Sequence, residues 1–183
     1  MESYVRGATM DEIVKVNSKV NRALAASAAA LGANVRLQDT PGYWPRRNPE
    51  EGCRLVIEAM GHVVENPSYH PLAIGGGCSD MGDVGAVMPA LHPYIGGAVG
   101  ATHGTDYYIA DPELACVKSA QVQLIMLALL LRDGAKGAKH IIEAYKPEFS
   151  SMEEYFAYVD KLTLDQRAVT YEVDGKVTLN FGG

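Results

Sequence analysis

Gly75-Gly76-Gly77-Cys78-Ser79-Asp80-Met81-Gly82-Asp83-Val84, followed by Met88-Pro89-Ala90-Leu91-His92-Pro93-Tyr94 and Gly96-Gly97-Ala98-Val99-Gly100-Ala101-Thr102-His103-Gly104, is the stretch on which the reading turns. It joins a glycine-rich turn, two acids just after it, and a histidine in a second glycine-rich loop. Glycines let backbone come close to a ligand and take positive φ. Acids and histidines bind metals or move protons. Chemistry, if the chain does any, belongs here.

Outward from this stretch, local signals organise the rest. Leu72-Ala73-Ile74 reads as a short buried strand delivering the Gly75 turn. Ser79 or Asp80 caps a short helix to about Met88. Tyr94 to Val99 reads as a central strand running into the His103 loop. Asp111-Pro112 opens the longest helix, with Glu113 in its first turn and Arg132 in its last, matching the helix dipole. Further helices are expected over Lys136 to Tyr145 and Ser151 to Leu162. Upstream, Glu2 to Arg6 reads as a strand, and Thr9 with Glu12 makes a capping box. The stripe Ile13, Val16, Val20, Leu24, Leu31 has helical spacing, and Gly32 stops it. Val35 to Gln38 completes a strand–helix–strand unit, too small alone to bury a good core. Pro41, Gly42 and Pro45 mark a connector. Its Tyr43-Trp44 pair is either a hinge packed on the core or part of an interface. Asn48-Pro49-Glu50-Glu51 starts another helix, with a cap and a first-turn proline. At the end, Asp174-Gly175 between Val169–Val173 and Lys176–Phe181 is a hairpin signal.

The 183 residues suffice for one domain or one and a half. The chain is 48% hydrophobic and 21% charged, an ordinary soluble balance. A net charge of −6 disfavours nucleic acid and anionic membrane surfaces as partners. Cys53, Cys78 and Cys116 show no paired spacing, which predicts reduced thiols and a cytoplasmic home. Charges run through residues 1–20, unlike a secretory leader. The apolar run Val122 to Leu131 is too short to span a bilayer.

The series Tyr4-Val5-Arg6-Gly7, the capped helix, Pro41-Gly42-Tyr43, the Ser79-Asp80 turn, Met88-Pro89 with His92, and the loop ending at His103 resembles the co-catalytic zinc aminoacylase and carboxypeptidase family. It is similar in particular to the amidohydrolases related to the p-aminobenzoyl-glutamate hydrolase subunit. The likeness covers most of residues 1–145. It implies an α/β fold: residues 1–40 as the second half of a lid and dimerisation domain, and 41–183 as the C-terminal portion of a catalytic domain with a terminal β-hairpin. It implies hydrolysis of amide bonds of N-acyl amino acids or short peptides, with zinc or a similar divalent metal. By resemblance His103 is a metal ligand, Arg6 holds a substrate carboxylate, and Asp80 lines the floor of the site.

The departure is as informative. The family's His-x-Asp motif is missing, and Glu50-Glu51 and Glu153-Glu154 stand at helix starts, the wrong place for its Glu-Glu pair. A catalytic zinc wants about three protein ligands plus water, and a base within hydrogen-bond reach of that water. The chain therefore resembles only the C-terminal part of such an enzyme. It is expected to be inactive alone and to need either a missing N-terminal half or subunit, or a second copy. A non-catalytic assembly module and a small-molecule binding domain are the rival readings. The other candidates have plainer roles. Asp83 reads as a helix cap and His92 as a packed, hydrogen-bonded histidine. His62, His70 and His140 read as solvated. Gly75-Gly76-Gly77 lacks the Lys-Ser/Thr of a P-loop, and Cys78 lacks a histidine placed to activate it.

Overall fold

Thr9 and Glu12 start the first helix as their spacing demands. The Glu12 backbone N–H donates to Thr9 Oγ1 at 3.3 Å, and the Thr9 N–H donates to Glu12 Oε2 at 3.2 Å. Helix α1 then runs Met10–Ala30 and ends where Gly32 turns left-handed at φ 67°. The computed structural model of the chain describes residues 1–67 and 78–182. The expected strand Leu72–Ile74, the Gly75–Gly77 turn and His70 lie outside the described residues.

Among the described residues the fold is mixed α/β, with five α-helices and three two-stranded antiparallel sheets. Contacts group it into two units. The first holds residues 1–46, 78–83 and 149–182, the second 47–67 and 84–148.

In the first unit, strand β1 (Arg36–Asp39) follows α1 as expected, but its partner is distant in sequence. It pairs antiparallel with β4 (Leu164–Arg167), Leu37 opposite Gln166. The expected strand Glu2–Arg6 is not formed; those residues take no regular structure and are mostly exposed. No described strand offers them a partner, and an isolated strand leaves its backbone groups to water. The hairpin β5 (Val169–Tyr171) and β6 (Val177–Leu179) closes through Asp174-Gly175, with Gly175 at φ 86°. Ala25, Leu37 and Ala168 are buried together, covered by Leu24, Val35, Leu164, Leu179 and Phe181. Asn17 and Asn21, one turn apart on α1, both donate to Asp39 Oδ2, at 2.7 and 2.6 Å. That pins the helix to β1 and partners the buried Asn21 side chain.

The same unit holds an aromatic knot. Trp44 is 1% exposed and meets Phe149, Tyr155 and Tyr158 edge-on, at centroid distances of 5.7, 5.3 and 5.8 Å. Three of these rings flank or lie on α5 (Met152–Leu162), whose cap Ser151 accepts from the Glu154 N–H at 3.1 Å. Of the two uses foreseen for Tyr43-Trp44, Trp44 takes the core, while Tyr43 stays exposed. The Trp44 backbone lies against the first turn of α3 (Asp80–Val87). A Cβ on Gly82 would overlap the Trp44 carbonyl.

In the second unit, α2 (Glu50–Gly61) begins with Pro49, not Asn48, at the N-cap, and without a side-chain cap bond. Ala59 of α2 is buried with Val122 and Leu129 of α4 (Ser119–Ala144). A π-helical stretch, Glu113–Lys118, leads into α4. The two helices expected on either side of Arg132 and Lys136 are seen: α4 is broken where Arg132 is extended and Asp133, Gly134 and Ala135 are left-handed at φ 54°, 72° and 63°. The expected central strand Tyr94–Val99 shrinks to β2 (Ala98–Val99), paired only with β3 (Tyr108–Ile109), and both are exposed. Gly97 at φ 105° breaks the extended run before it can lengthen.

The length argument against a membrane span is also corrected. The stretch Glu113–Ala144 is long and apolar enough, by length and composition alone, to cross a membrane, though residues 132–135 break it. One such helix is weak evidence, because core helices have the same make-up.

Gly82→Ala should lower stability by about 1–3 kcal/mol through overpacking against backbone that cannot swing away. Urea unfolding measures it; an unchanged midpoint at equal slope would mean that Trp44 does not lie on α3.

Candidate functional site

His103 stands in the loop joining β2 to β3, and the sequence builds that loop tightly. Gly100 sits at φ 94°, where an added Cβ would meet the Asp106 carbonyl. The Gly104 N–H donates to Ala101 O at 2.7 Å and the Tyr107 N–H to Gly104 O at 3.3 Å. The Asp106 carboxylate accepts from the Ala101 N–H at 3.4 Å. Within this turn His103 itself is left-handed, φ 66°, and its side chain is exposed. A non-glycine residue there carries a cost of about 1 kcal/mol. Backbone strain of this kind concentrates at functional positions. The imidazole is thus held out of apolar packing, free to offer a nitrogen or exchange a proton.

Asp80 is the first residue of α3 and is exposed, where a carboxylate suits the positive end of the helix. Asp83, foreseen as a cap, instead turns to the aromatic knot. Its Oδ1 accepts the Tyr155 hydroxyl at 2.6 Å and the Trp44 N–H at 3.4 Å. Burial first, then the hydrogen bond to Asp83 and its negative charge, push the Tyr155 hydroxyl up to about 12. Each of these disfavours a phenolate. Cys78 forms an isolated bridge to Pro45, so its backbone helps seat the same connector.

Arg6 is exposed, its guanidinium 5.9 Å from the Tyr4 ring centroid. His92 stacks on Tyr94, centroids 5.1 Å apart at 16°. The packing expected of it is seen, but its buried Nδ1 has no hydrogen-bond partner. His62 is exposed, and His140, foreseen as solvated, lies 3.4 Å from Glu51 while remaining exposed.

Arg6 and Asp80 belong to the first unit and His103 to the second. Among the described residues no three His, Cys, Asp or Glu side chains gather as a metal site. One histidine is short of the donor set that a catalytic zinc requires. The residues in hand therefore do not fit a complete metal centre, and no catalytic step follows from them alone. No family model, curated protein or solved structure matches this chain.

The residues that sequence reasoning passed over are Trp44 and Tyr155 as partners of Asp83. The single tryptophan in a proline-rich connector hinted at a buried anchor. Nothing local pointed to Tyr155, 72 residues beyond Asp83.

Tyr155→Phe should cost about 1–2 kcal/mol near pH 8, the worth of a hydrogen bond to a carboxylate at a half-buried site. The pH dependence has a definite sign. The folded state holds the phenol protonated up to about 12, above its unfolded value of 10.0. Its contribution is complete below pH 10 and lost as pH rises toward 12. The gap between wild type and Tyr155→Phe in urea titrations should narrow over that window; a constant gap would contradict the assignment.

Proposed function

We propose that the chain is the C-terminal part, or a split subunit, of a cytoplasmic metal-dependent amidohydrolase that cleaves amide bonds of N-acyl amino acids or short peptides. Residues 1–40 are half of its lid and dimerisation domain, and 41–183 are the closing portion of its catalytic domain. His103 contributes one ligand to a zinc or similar ion, Arg6 grips a substrate carboxylate, and Asp80 lines the site. The remaining ligands and the general base come from polypeptide outside these residues.

The observation that carries this reading is His103. An exposed imidazole stands at positive φ in a glycine-rich, internally hydrogen-bonded turn. The motif resemblance supplies the chemical class. The second reading, an assembly module without its own chemistry, is favoured by the apolar outer face of α4, where Leu124, Leu127 and Leu131 are exposed.

The test is hydrolysis of N-acetyl amino acids with zinc. The chain alone should give no turnover. Coexpressed with an upstream-encoded polypeptide carrying a His-x-Asp and a Glu-Glu pair, it should give turnover that His103→Ala abolishes. Turnover by the pure chain alone, or activity of the pair indifferent to His103→Ala, would overturn the proposal.

A further inference from the structure

We draw no further inference here: the strongest candidate, the exposed apolar face of α4 along Leu124, Leu127 and Leu131, carries nothing because nothing in the structure shows what covers it.

Discussion

The seat of Trp44 is the constraint on which the first unit depends. Its ring is closed off by Phe149, Tyr155 and Tyr158, its carbonyl lies where only a glycine at position 82 leaves room, and its N–H points to Asp83. Among the described residues Trp44 is the largest fully buried side chain, and aromatic side chains of this size dominate the energetics of a core. The connector cannot leave without exposing that surface and stripping Asp83 of both partners. Through this one residue the chain ties three distant segments together: the connector, the start of α3 and helix α5. Charge contributes little by comparison. Arg36 and Asp165 meet at 2.6 Å, but both are well exposed, and such pairs add at most about 1 kcal/mol.

Fixing the start of α3 has a consequence for chemistry. Asp80 and Asp83 are three residues apart, yet they have opposite fates. Asp83 is committed to structure by Tyr155 and Trp44, while Asp80 faces water one turn earlier. Only the outward acid is available to a ligand. A similar separation of roles holds in the His103 loop. Asp106 and the glycines build the turn, and the histidine is presented by it.

Legibility followed the range of the interaction. The α1 capping box, the Ser151 cap and the Asp174-Gly175 hairpin each rest on residues within a few positions of one another, and all appear as their spacing dictates. The exposed His103 loop was likewise readable from its glycines. The β1–β4 pairing joins Leu37 to Gln166, and no local pattern announces a partner that far along the chain. The expected strands at Glu2–Arg6 and Tyr94–Val99 failed for a related reason. Strand-like composition does not supply an edge to pair with, and Gly97 disfavours extension where it was assumed. Asp83 was misread because a helix-start acid usually caps its own helix. Here a tyrosine from another segment competed for the carboxylate and won.

The most direct measurement uses the fact that Trp44 is the only tryptophan. Its fluorescence reports a single environment, without mutation or labelling. A closed aromatic seat predicts emission blue-shifted from that of free tryptophan and nearly insensitive to acrylamide until the chain unfolds. Emission at the position of free tryptophan, quenched as readily in buffer as in concentrated urea, would contradict it.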